Sequence, residues 1–181
     1  DKISRLITVK KFLNLENLRL NLGCGPIHKK GFINVDLAKG ADLRVDLRKP
    51  LPFKDNSVSY IFTEHFLEHL RYIDLTVINC LRDYYRILKK GGKIRIVVPD
   101  MEKIFQAYVK GDLEFLKSLT PIENQLPHSK KLATIIDYVN YFNYQFGEHK
   151  YSYDFEKLQL LLKSIGFKNI ERDAHNPEED T

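Results

Sequence analysis

The chain has 181 residues, a formal net charge of +5, 43% apolar residues and 29% charged ones. That length supports one domain with a real core. The composition is that of a globular protein, and no apolar run is long enough to span a bilayer. The mild positive charge gives no footing for nucleic acid by itself.

The two cysteines, Cys24 and Cys80, sit in different settings. They argue against a disulfide scaffold and for a reducing, cytoplasmic compartment. The chain opens at Asp1 with no methionine and no charged-then-apolar leader, so trimmed termini are expected.

Residues 1–17 carry Ile3, Leu6, Ile7 and the Lys10–Leu13 run, the pattern of a short amphipathic helix weakened by β-branched residues. Leu18, Leu20 and Leu22 alternate as a strand and stop at Gly23-Cys24-Gly25-Pro26. Ile33 to Leu37 reads as the second strand and contains Asp36. The links on either side of it are too short for ordinary helical crossovers, so the first half of the sheet is expected to be pared down. A third strand is expected over Asp42–Leu47, then a proline loop over 48–57, a strand over Val58–Thr63 and a helical piece over Glu64–Leu70.

The apolar spacing from Ile73 to Leu88 predicts a long amphipathic helix, stopped by Lys89-Lys90-Gly91-Gly92. Lys93 to Pro99 is the clearest strand. Beyond it, helices are expected over Met101–Lys110, Asp112–Leu119 and the aromatic-rich Leu132–Phe146, with a loop over Thr120–Lys131. Ser152 or Asp154 is placed to cap a helix running through Leu162, and Phe167–Arg172 reads as a last strand. The tail from His175 to Thr181 is polar. The fold expected is α/β and Rossmann-like: a mostly parallel sheet flanked by helices, one domain over 1–181, with a helical cap inserted at about 101–150 after the fifth strand.

Glycines after a first strand let a ligand approach the backbone, and an acid ending the second strand accepts ribose hydroxyls. A nicotinamide dinucleotide site would want a third glycine where His28 stands and an acid about twenty residues on. Asp36 comes too early for that, which favours a mononucleoside cofactor.

The ordered set of segments resembles the class I S-adenosylmethionine-dependent methyltransferases, in particular their small type 11 branch. Leu20-Asn-Leu-Gly-Cys-Gly25, Asn34-Val-Asp36, Asp46-Leu47 with Pro50–Phe53, Glu64-His65 with Leu67–Leu70, Leu88–Gly92 with Pro99-Asp100, Gly147–Lys150 and Leu161–Phe167 carry the likeness. It implies S-adenosyl-L-methionine as cofactor. Asn21, Gly23, Cys24, Gly25, Asp36, Leu37, Asp46, Leu47 and Glu64 would hold it, with Asp36 on the ribose and Asp46 on the adenine amino group. Leu51 and Phe53 are expected on the adenine face.

The implied reaction is methyl transfer to an oxygen or nitrogen of a small-molecule acceptor, with His65 and His149 as the groups that would manage a proton. The alternative is a non-catalytic protein of the same fold that binds the cofactor or a partner. Three departures leave room for it: Asn21 where the family commonly has an acid, Ile27 where it has a third glycine, and only a polar tail after Arg172 where a seventh strand would follow, so that strand is expected to be absent or to lie beyond Thr181. Nucleic acid and membrane partners are not expected. His65-Phe-Leu-Glu-His69 also spells an inverted zinc-protease pattern. A third ligand is not evident in the sequence, so no metal is expected, and Glu68 and His69 read as helix-surface residues.

Overall fold

The computed structural model describes Phe12, residues 15–120 and residues 132–174. The expected first helix, most of the 120–131 loop and the polar tail fall outside the described residues, apart from Phe12, which is helical, and Thr120. Five strands form one parallel sheet: β1 (Leu18–Leu22), β2 (Ile33–Asp36), β3 (Leu43–Arg44), β4 (Val58–Glu64) and β5 (Leu88–Val97). Their order is β3-β2-β1-β4-β5. The chain therefore leaves β1 in one direction and returns on its other side at β4. That reversal is the switch point at which ligands of such sheets sit.

The register pairs Asn21 with Asn34 and with Phe62, and Phe62 with Arg95. Because side chains alternate along a strand, Leu18, Leu20 and Leu22 share one face. There they join Val35, Leu43 and Ile61, under Val77, Leu81, Tyr84 and Ile87 of α1 (Thr76–Ile87) and Leu161 and Leu162 of α5 (Phe155–Ile165). Leu20 and Leu22 are fully buried, each contributing roughly 1.5–3 kcal/mol through removal from water. On the opposite face cations pack on aromatic rings: the Arg19 guanidinium lies 4.2 Å above the Phe32 ring and 5.6 Å above that of Tyr60.

The short crossovers are as expected. No helix intervenes between β1 and β2 or between β2 and β3. A second, smaller core gathers Met101, Ile104, Ala107, Leu116, Tyr138, Val139 and Phe142. It joins α2 (Met101–Lys110), α3 (Leu113–Ser118) and α4 (Ile135–Tyr144), the helices of the expected cap.

Several elements differ from expectation. The long helix ends at Ile87, and Lys89–Gly92 belongs to β5. The pairing jumps from Val58–Leu88 to Tyr60–Lys93, so this stretch is a bulge. A Cβ at Gly92 would lie 2.9 Å from the Lys89 carbonyl and 3.2 Å from that of Val58, so the glycine serves close backbone approach rather than a helix stop.

Residues 64–70 hold only a 3-10 turn, Leu67–His69, because His65 adopts a left-handed φ of 48° that no helix continues through. β3 is two residues long, and Asp46 instead anchors a turn through Arg48. Phe167–Arg172 forms no strand. This segment leads to Asp173, whose carboxylate meets Arg95 of β5 at 2.5 Å, a side-chain contact in place of a ladder.

Candidate functional site

The carboxyl ends of β1, β2 and β4 converge on the switch point. Gly23 and Gly25 follow β1 with φ of 75° and 49°, a conformation that costs a side-chain-bearing residue about 1–2 kcal/mol. The two glycines do different work. A Cβ at Gly23 would lie 2.8 Å from Phe66 Cβ and Cγ, whereas one at Gly25 would meet no atom within 4 Å. Gly23 thus admits Phe66 to the turn, and Gly25 leaves open space in front of the backbone.

The Gly25 amide donates to Asp36 Oδ2 at 2.9 Å, and the Ala38 amide donates to Asp36 Oδ1 at 2.8 Å. Each carboxylate oxygen has two acceptor sites. Asp36 is therefore held against the turn with further acceptor capacity left on each oxygen. Leu37 beside it is exposed.

Asn21 sits differently from expectation. It is buried, and its amide nitrogen donates to the Ile27 carbonyl at 3.1 Å and to Asn34 Oδ1 at 3.0 Å. Asn34 Oδ1 also accepts from the Lys29 amide, while the Asn34 amides donate to Asp42 Oδ2. Asn21 shapes the turn from beneath. An acid there would set a charge against Asn34 Oδ1, so the neutral amide belongs to this network.

Cys24 is a buried thiol pushed up to about 11, first by burial and then by the Asp36 carboxylate. It is not a nucleophile at neutral pH. Asp46 accepts a two-pronged contact from Arg48 at 2.8 and 2.9 Å, and its carboxyl falls to about 2 chiefly through that contact. Arg48 thus shares the carboxylate expected on the adenine. Leu47 is buried, with its carbonyl accepting from Cys80 Sγ at 3.2 Å. Leu51 and Phe53 are buried in the main core rather than lining an open face. Arg86 of α1 secures their loop by donating to both of their carbonyls, at 3.0 and 2.9 Å.

At the end of β4, Glu64 is half-buried and His65 follows it. The His65 side chain is 63% exposed, with Nδ1 3.1 Å from Glu68 Oε1. That hydrogen bond raises its pKa above 6.5. His149 is 8% exposed, its Nδ1 is 2.7 Å from the Phe142 carbonyl, and burial lowers its pKa. The fold therefore brings His65 and His149 near one carboxylate, that of Glu68, and of the two only His65 is open at the surface.

Sequence reasoning undervalued that carboxylate. Glu68 is 1% exposed, and its carbonyl accepts from the amides of Lys150 and Tyr151 at 2.7 and 3.2 Å. The His-x-x-Glu-His spelling was the available signal, but a helix-surface position was expected where a buried 3-10 turn is found.

A sheet of this order, with a glycine turn after its first strand and a carboxylate ending its second, has the arrangement at which nucleoside ligands of doubly wound sheets sit. The family model described as a methyltransferase domain matches residues 29–96, from just after the glycine turn to the end of β5. That match covers less than half of the chain, which over this stretch resembles a methyltransferase domain.

Among solved structures, it is similar to a methyltransferase of Thermotoga maritima described as a possible histamine N-methyltransferase. The identity is 21% and the TM-score 0.52, over 92% of this chain and 71% of that one. It is also similar to a methyltransferase of Archaeoglobus fulgidus, at 15% identity and a TM-score of 0.48 over 99% and 82% of the two chains. A third is phosphoethanolamine N-methyltransferase 2 of Haemonchus contortus, in complex with S-adenosyl-L-methionine: 19% identity, TM-score 0.47, covering 93% of this chain and 37% of that one. No curated protein sequence matches the chain. Among the described residues, no helix is long and apolar enough to cross a membrane.

Proposed function

We propose that the chain transfers a methyl group to an oxygen or nitrogen of a small-molecule acceptor, with the cofactor held at the β1–β2–β4 end of the sheet. The observation that carries this reading is the Gly25–Asp36 cradle: open space above Gly25, beside a carboxylate with acceptor capacity left on both oxygens. These residues suit a nucleoside diol beside exposed backbone. In our reading Gly23, Cys24 and Gly25 supply that backbone, Asp36 and Leu37 take the ribose, Asp46 and Leu47 the adenine edge, and Glu64 faces the amino-acid part. Asn21 contributes by fixing the turn.

S-Adenosylmethionine supplies an electrophilic methyl on a sulfonium and leaves as a neutral thioether. The protein's contribution to such a displacement is chiefly alignment of donor and acceptor. Where the acceptor carries a proton, a positioned base removes it. His65 is suited to that task, since its ring is exposed at the β4 end and aimed by Glu68. His149 is held on the Phe142 carbonyl and is too buried to touch an acceptor in this arrangement.

The test is transfer of labelled methyl from S-adenosylmethionine into panels of small amines and hydroxyl compounds. The reading expects label in a low-mass product. It also expects His65→Ala to lower turnover while S-adenosylhomocysteine binds as before. Label found only in protein or nucleic acid would refute the acceptor class, and unchanged turnover in His65→Ala would refute the base.

A further inference from the structure

Glu68, His69 and His149 each offer a ligand atom, and these atoms lie within 4.8 Å of one another. The two imidazole rings meet edge to face, with centroids 5.0 Å apart and planes at 81°. Glu68 Oε1 is engaged with His65, but Oε2 is buried and has no hydrogen-bond partner. An unsatisfied buried carboxylate oxygen costs free energy that native proteins rarely leave uncompensated. His149 Nδ1 is held by the Phe142 carbonyl, which leaves Nε2 as the remaining ring nitrogen. A backbone carbonyl on the far ring nitrogen is the usual way a ligating histidine has its tautomer and orientation fixed.

The three residues are also locked together by backbone. Lys150 and Tyr151, next to His149, donate their amides to the Glu68 carbonyl. The sequence pattern paired His65 with His69. The fold instead sets Glu68 and His69 beside His149, near the end of the 101–150 segment.

We propose that Glu68, His69 and His149 bind one divalent transition-metal ion of the zinc class. The ion ties the turn after β4 to the 147–150 segment. Two imidazoles and one carboxylate suit zinc, cobalt or ferrous iron better than magnesium or calcium, which prefer all-oxygen shells. Metal–ligand bonds of about 2.0–2.2 Å require the three atoms to close in slightly, within reach of side-chain rotation. A three-ligand set leaves at least one position open for water or another donor.

The inference does not depend on the cofactor reading, and its test uses no cofactor. The full chain is stripped with chelator, loaded with Zn2+ or Co2+, exchanged into metal-free buffer and analysed for metal. One ion per chain is expected, with a visible absorption band in the cobalt form. His149→Ala should weaken binding at least about a hundredfold, the upper end of what losing a mere outer-shell partner costs. Glu68→Gln keeps the shape of the side chain and should abolish the cobalt band while circular dichroism stays native. His28→Ala, an exposed histidine elsewhere, should bind metal as the wild type does. No stoichiometric metal in the loaded wild type would overturn the site, as would binding that Glu68→Gln and His149→Ala leave unchanged.

Discussion

The two glycines after β1 are separable by one substitution each. At Gly23, alanine meets two opposing demands: a φ of 75°, and a Cβ 2.8–2.9 Å from Phe66 Cβ, Cγ and Cδ2. The left-handed backbone costs about 1–2 kcal/mol. Forcing Phe66 aside costs typically a further 1–3 kcal/mol, because its near atoms include Cβ and cannot swing away. Gly23→Ala should therefore lose about 2–5 kcal/mol. At roughly 2–4 °C per kcal/mol for a chain of this size, Tm should fall by about 4–20 °C. Phe66→Ala removes the Cγ and Cδ2 contacts and leaves the one to Cβ, so in Gly23→Ala/Phe66→Ala part of the steric cost should be relieved and the two changes should couple favourably when measured as a cycle.

Gly25→Ala carries only the backbone cost, because its Cβ points into open space. It should remain folded within about 1–2 kcal/mol of wild type, yet bind S-adenosylhomocysteine far more weakly, since the new methyl occupies the cradle. Thermal unfolding and calorimetric titration of the same three proteins make the comparison. Equal stability of Gly23→Ala and wild type, or undiminished binding by Gly25→Ala, would refute the division of labour.

Other outcomes follow from the same geometry. With Cys24 raised from 9.0 to about 11, its thiolate at pH 8 is roughly a hundredfold scarcer than that of an ordinary thiol, so iodoacetamide should label it about that much more slowly than a peptide cysteine. The sign for stability is also set: the unfolded thiol ionises first, so the contribution of Cys24 is intact below pH 9 and is lost as pH rises toward 11, which urea melts across that window would detect. Arg86 meets Asp83, Asp55 and the Leu51 and Phe53 carbonyls at 2.6–3.0 Å. Arg86→Ala should lose about 1.5–3 kcal/mol in denaturant melts, and Arg86→Lys should recover little, because an ammonium cannot reproduce the planar fork.

Where local chemistry and tertiary structure agree, the sequence was readable. Leu18, Leu20 and Leu22 alternate because one face of β1 is buried, and the strand ends where the first glycine stands. Met101–Lys110 is helical as expected, with Gly111 left-handed at its end. Lys89–Gly92 misled because cations and glycines mark a helix stop and a strand bulge alike; pairing with β4 decided between them. Asn21 resembles a cofactor contact in the linear order, but its neighbours Asn34 and Ile27 become visible only when β1 and β2 align.

Glu68 shows the same limit most clearly. Its burial depends on Lys150 and Tyr151 from a distant part of the chain, and nothing in the linear sequence reports that contact.

The central claim is that Asp36 and the glycine turn hold the nucleoside of the cofactor, and the most direct test is calorimetric titration of S-adenosylhomocysteine into wild type, Asp36→Asn and Asp36→Ala. Hydrogen bonds to a charged group contribute about 1.5–3 kcal/mol each. Losing two in Asp36→Ala should weaken binding on the order of a hundredfold or more. Asp36→Asn, which keeps one acceptor oxygen, should fall between. Equal affinities for all three folded proteins, or no binding by wild type, would contradict the account.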